Sequence, residues 1–172
     1  ERKNKVIDVL NTARAMELQA IYQYMNQHYN LDDMDYGELA ANIKLIAIDE
    51  MRHAEMFAER IKELGGEPTT EMADKVTRGQ EVEAMFPMDA GLEDTTMDEY
   101  NRFARICHDN GDSETMKLFE TIIGEEQTHF NYFDNVGEYI KKLGASYLAR
   151  IAATPADTGP PSKGFVTGGG NA

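Results

Sequence analysis

What the chain lacks narrows it first. It has no tryptophan, one cysteine and five prolines in 172 residues. No apolar run approaches the ~18 residues that a membrane-spanning helix needs, and no signal-peptide pattern is visible. A single cysteine, Cys107, excludes a disulfide framework within the chain, so a reducing cytoplasm is the expected location. Basic residues are outnumbered 17 to 31, a formal net charge of −14 that argues against nucleic acid or an anionic membrane as partner and fits attraction of cations. Valine is sparse while Ala, Glu, Leu, Met and Lys abound, which predicts an all-α fold. The length suits one domain with a real core. The chain opens on ERKNK rather than Met, so a short N-terminal piece is expected to be missing.

Helical periodicity predicts four long helices. The first runs from about Asn4 to His28 and is broken by NLDDMDYG; the second runs from about Asp35 to Leu64 and stops at Gly65-Gly66. The third spans about Arg78 to His108, with Pro87 and Gly91 expected to bend it or loosen its first turns. After the turn Asn110-Gly111-Asp112 the fourth runs from about Ser113 to Leu143, and a short fifth covers about Ala145 to Ala153. The Pro/Gly-rich segment 154–172 is expected to be a disordered tail behind a bundle domain of residues 1–153. Short turns make hairpins of helices one and two and of three and four. The stretch GGEPTTEMADKVT between the hairpins can cross ~40 Å at roughly 3.3 Å per residue. A crossover of that length lets helices two and three run parallel, the ferritin-like arrangement.

Four apolar ladders follow. They read Val6, Leu10, Ala13, Glu17, Ala20, Tyr24; Leu39, Ile43, Ile46, Glu50, His53, Phe57; Val82, Phe86, Asp89, Glu93, Met97, Tyr100; and Phe119, Ile122, Glu126, His129, Phe133, Val136, Ile140. A glutamate interrupts each ladder at mid-length, and two of the four are followed by histidine at i+3, about 60° away on the helix. One shift of 76 residues carries Glu17, Glu50 and His53 onto Glu93, Glu126 and His129, and Tyr24 onto Tyr100. That points to two hairpins related by a pseudo-two-fold axis, each supplying half a site.

A lone Glu-x-x-His is usually a solvated pair. Here the residues lie on apolar stripes, where four carboxylates cost several kcal/mol each unless cations compensate. Four Glu⁻ and two neutral His balance two divalent metals. One Glu from each of two helices plus Glu-x-x-His from the other two is the ligand set of di-iron and di-manganese carboxylate bundles. By symmetry Glu50 and Glu126 bridge, Glu17 and Glu93 cap one metal each, and His53 and His129 add one nitrogen apiece. Such donors suit Fe(II) or Mn(II), and the absence of thiolate disfavours structural zinc. Tyr24 and Tyr100 either hydrogen-bond the carboxylates or are ordinary core tyrosines. Asp49 and Glu125 either orient the histidines or are solvated. His28 and His108, near helix ends, are read as surface or capping residues, and Cys107 as core packing.

The stretches IDEMRHAEMFAERIKELGG, QEVEAMF and EEQTH resemble bacterioferritin, and the likeness covers Lys5 to about Ala153. Met51, one residue after Glu50, points about 100° away from the metals. The resemblance implies that Met51 and its symmetry mate ligate a haem iron shared between two subunits at a two-fold interface, leaving the haem to carry electrons. The porphyrin type stays open. It also implies a closed shell of about 24 subunits that stores iron. Its ferroxidase site, Glu17, Glu50, His53, Glu93, Glu126 and His129, would oxidise Fe(II) with dioxygen or hydrogen peroxide and deposit ferric mineral, with an electron-donor protein as a further partner. The alternative on the same ligands is a rubrerythrin-like di-iron peroxidase without a storage cavity, although such enzymes usually carry two Cys-x-x-Cys pairs and this chain has one cysteine. A DNA-protecting mini-cage is disfavoured because all six ligands lie in one chain and the tail has a single lysine. The complete ligand set argues against a non-catalytic haem scaffold.

Overall fold

The computed structural model describes residues 1–159 and 164–168. Its helices are α1 (Arg2–Asp33), α2 (Gly37–Glu63), α3 (Val82–Asp109), α4 (Ser113–Leu143), α5 (Ala145–Ile151) and α6 (Phe165–Gly168). Among the described residues there is no strand, only an isolated bridge between Tyr36 and Thr154. The architecture is all-α, a ferritin-like bundle with a short fifth helix.

The ladders lie inside as read, except that Thr96 takes the buried place expected of Met97, which is half-buried. Buried apolar residues form two clusters, and their order along each helix fixes its direction. The cluster containing Leu10, Phe57, Phe103 and Phe119 is met first by α1 and α4; that containing Tyr24, Ile43, Phe86 and Phe133 is met first by α2 and α3. Helices α2 and α3 therefore run parallel. Between the clusters every helix passes its glutamate, so the polar residues form a belt across mid-bundle.

The crossover, residues 64–81, is fastened along α1. Asn11 Nδ2 donates to the Glu67 carbonyl (3.1 Å) and its Oδ1 accepts from Thr69 N–H (2.7 Å). Arg14 Nε donates to the Thr69 carbonyl at 2.9 Å. Gln23 pairs with both backbone groups of Thr77, at 2.9 and 2.8 Å. Side chains of α1 thus satisfy backbone groups that an extended segment leaves unpaired.

Several boundaries differ from the sequence reading. Helix α1 continues through the expected break to Asp33, because Leu31 extends the buried ladder; the chain turns only at Asp35, with φ 66°. Helix α3 starts at Val82 and continues through Pro87, which removes the hydrogen bond to the residue 83 carbonyl and crowds that carbonyl with its ring. Helix α5 ends at Ile151. Beyond it the Ala153 N–H donates to the Asp35 carbonyl (2.9 Å) and Thr154 Oγ1 accepts from Glu38 N–H (2.8 Å), fastening the chain to the start of α2. In the C-terminal segment Phe165–Gly168 form a helical turn, with Phe165 buried against the bundle. Residues 160–163 and 169–172 of the segment expected to be a disordered tail lie outside the described residues. His28 is no surface group: its ring lies inside, with Nδ1 2.7 Å from the Ala40 carbonyl, tying α1 to α2. His108 is exposed beside Asp109. Cys107 is a core residue, its thiol pushed up to about 12 by burial and by the Asp112 charge.

Candidate metal centre

All six ladder residues meet. Glu17, Glu50, His53 and Glu126 each present one ligand atom within 4.8 Å of the others, and so do Glu50, Glu93, Glu126 and His129. Glu50 and Glu126 belong to both groups. All six side chains are buried.

The imidazoles enter through Nδ1. His53 Nδ1 lies 3.0 Å from both Glu50 Oε2 and Glu126 Oε1, and 3.7 Å from Glu17 Oε1. His129 Nδ1 lies 3.0 Å from Glu50 Oε1 and 3.5 Å from Glu126 Oε2. The Nε2 atoms point outward to a second ring of acceptors, and the pairing is crossed. Glu125 Oε2 on α4 is 2.8 Å from His53 on α2, while Asp49 Oδ2 on α2 is 2.9 Å from His129 on α4. Acceptors in those places hold a proton on each Nε2, so that Nδ1 is the nitrogen turned toward the glutamates. Asp49 and Glu125 are therefore orienting groups, and the 76-residue shift relates them too. The tyrosines cross in the same manner. Tyr24 on α1 donates to Glu93 on α3, and Tyr100 on α3 donates to Glu17 on α1 at 2.5 Å.

Sequence reasoning missed Arg52. Its Nη2 donates to Asp49 Oδ1 (3.1 Å) and to Glu125 Oε2 (2.6 Å), and its Nη1 to Glu125 Oε1 (3.2 Å), so one guanidinium joins both orienting carboxylates. The i, i+3 spacing from Asp49 was the available signal. The tail's contact with Asp49, through Val166 N–H at 3.0 Å, had none beyond a lone aromatic in a polar segment.

The titration pattern shows what the belt wants. Burial first, then the charges of neighbouring glutamates, raise Glu17 and Glu93 well above the ordinary carboxylate range. Burial also opposes charge on His53 and His129, yet the surrounding carboxylates outweigh it and raise both. Burial works against Glu126 ionising as well, but the neighbouring Glu93, His129 and His53 side chains outweigh it and hold it well below the usual range. At Glu125 burial is again outweighed, by hydrogen bonds from His53 and Arg52, which bring it to about 2. Glu17, Glu93 and the imidazoles all hold protons more tightly than usual, where cations would otherwise balance charge. Buried Glu50 Oε1, both Glu126 oxygens and His129 Nδ1 still have no hydrogen-bond partner. Orphaned acceptors turned toward one another are a fit for hard divalent cations.

Residues 7–136 match the model of the ferritin-like domain. The chain is 65% identical to a bacterioferritin of Desulfovibrio desulfuricans over 97% of its own length and 93% of the relative's. The chain belongs to the bacterioferritins. A bacterioferritin of Mycolicibacterium paratuberculosis is 33% identical across 88% of this chain and 96% of that one. Among solved structures, the crystal structure of the Desulfovibrio desulfuricans bacterioferritin, which describes its diiron site in different catalytic states, superposes with a TM-score of 0.92 at 65% identity, covering 95% of this chain and 96% of that one. Mycobacterium tuberculosis bacterioferritin BfrA superposes at 0.82 with 30% identity, covering 86% and 94%. As a bacterioferritin the chain is an iron-storage protein with ferroxidase activity, which decides between storage and the rubrerythrin-like alternative. No helix among the described residues is long and apolar enough to cross a membrane.

Proposed function

We propose that Glu17, Glu50, His53, Glu93, Glu126 and His129 hold two ferrous ions per chain and are the ferroxidase site. The carrying observation is the set of buried, unpartnered acceptor atoms on Glu50, Glu126 and His129. Glu50 and Glu126, common to both groups of ligand atoms, would be shared between the two ions, and Glu17 and Glu93 would each hold one. Two ferrous ions supply one electron each, enough with two protons to reduce one dioxygen to hydrogen peroxide, or one peroxide to water. The chain's own contribution is geometric and electrostatic. Carboxylates favour the ferric state, Asp49 and Glu125 keep each Nδ1 free to ligate, and Tyr24 and Tyr100 fix the capping carboxylates. Ion binding displaces the protons held on Glu17, Glu93 and the imidazoles, so uptake releases acid.

The rest of the reading is a closed shell of about 24 copies in the cytoplasm, storing ferric mineral. Met51 supports the haem reading, because its side chain is 55% exposed and free to meet a second copy. There it and its mate would hold a haem through their two thioether sulfurs, and the haem would supply electron transfer between a donor protein and stored iron. The test is an anaerobic Fe(II) titration of the purified particle, then exposure to air, with native mass from light scattering. A particle of about 24 chains, a break at two Fe(II) per chain and a fast oxidation lost in Glu126→Gln are expected. A dimer with no break, or a Glu126→Gln variant that oxidises iron normally, would sink the assignment.

A further inference from the structure

The pseudo-two-fold axis makes the two halves of the site nearly equivalent, and the C-terminal segment breaks that equivalence. On one side, Glu125 behind His53 keeps 18% of its side chain exposed. On the other, Asp49 behind His129 is completely buried. The difference comes from residues 164–166. The Val166 N–H donates to Asp49 Oδ2, the same oxygen that accepts from His129. Phe165, 4% exposed, sets its ring 6.2 Å edge-on from the His129 imidazole and 5.1 Å from Tyr132. Gly164 lies so close that a Cβ there would fall 1.8 Å from Asp49 Oδ1. Only glycine lets the backbone approach this carboxylate.

We propose that Gly164–Val166 is a seal over the Asp49–His129 side of the metal centre, so that the ion on the His129 side exchanges slowly while the ion on the His53 side exchanges freely. The inference rests on the two-ion reading of the six residues. Asp49 is the link: the backbone N–H and Arg52 hold its carboxylate, the carboxylate holds the imidazole, and the phenyl ring shields the contact from water. An orienting group fixed from three directions keeps its ligand in place during exchange.

The experiment loads the assembled full-length protein with Co(II) and follows release to excess chelator by absorbance. Two Co(II) per chain establish the site; any other stoichiometry fails the two-ion reading itself. With two bound, the wild type should release them in two phases of equal amplitude. Gly164→Val, which drives a side chain into Asp49, and Phe165→Ala, which removes the ring, should each speed the slow phase by about 10-fold or more and leave the fast phase unchanged. Phe165→Tyr should restore the slow phase. A single release rate in the wild type, or a slow phase that neither variant moves, overturns the proposal. The unchanged fast phase separates a local seal from general loosening of the bundle.

Discussion

Asp89 offers a sharp test of the electrostatics outside the metal centre. It is buried on α3 one turn before Glu93, with Gln27 Nε2 donating to its Oδ1 at 2.8 Å. Its Oδ2 has no partner, and neither has Gln27 Oε1, whose amide nitrogen also serves Gln80 at 3.0 Å. Tyr24 on α1 and Tyr132 on α4 feel its charge, and no basic group acts on it. Burial raises Asp89 well above its ordinary value of 3.8, and only the Gln27 N–H pulls the other way. The unfolded chain gives this proton up above 3.8 while the native chain keeps it, so native stability falls as pH rises, by ~1.4 kcal/mol per unit up to the folded pKa. Asp89→Asn keeps the bond from Gln27, needs no proton and still carries a desolvation cost of ~1–2 kcal/mol. Its melting midpoint at pH 7 should therefore lie above the wild type's, by roughly 2–4 °C for each kcal/mol gained in a chain of this size. The midpoint is read by far-UV circular dichroism at matched iron content. The gap should shrink toward pH 4.5, and a protonated-carboxyl infrared band of the wild type should vanish in the variant. A variant less stable at pH 7, or a gap constant from pH 4.5 to 8, would refute the neutral buried acid.

Two further outcomes follow from other parts of the molecule. Met51→Leu should lose haem while keeping two Fe(II) per chain and the wild-type oxidation rate, measured by pyridine-haem absorbance and anaerobic titration; haem retained at full occupancy would remove Met51 as ligand. Gly37→Ala should lower the melting midpoint, because its Cβ would fall 1.7 Å from the Thr154 carbonyl oxygen and push residues 153–154 off the start of α2. Overpacking of this kind costs about 1–3 kcal/mol, and an unchanged midpoint would show that the contact bears no strain.

The sequence by itself picked out the six residues that the fold gathers into one buried cluster and the direction of every long helix. Both follow from local geometry. A 3.6-residue period says which side chains share a face, a charged group on an apolar stripe must have a compensating partner, and a crossover long enough to span the bundle sets α2 and α3 parallel. The repeat then supplied symmetry, which already marked Glu50 and Glu126 as the shared pair. Tertiary structure alone decided how the halves interlock. That Tyr24 serves Glu93, that Glu125 serves His53 and that Arg52 joins Asp49 to Glu125 depend on which helix stands beside which, and at what height. One helix's periodicity cannot carry that information. The end of α1 is a milder case: turn-forming NLDD signalled a break, but burying Leu31 against the bundle outweighed it. The tail is the strongest. Its Pro/Gly composition predicts disorder because propensity counts only local conformational freedom, whereas the Phe165 ring, packed against His129 and Tyr132, and the Val166 N–H to Asp49, more than 100 residues away in sequence, hold this stretch on the bundle.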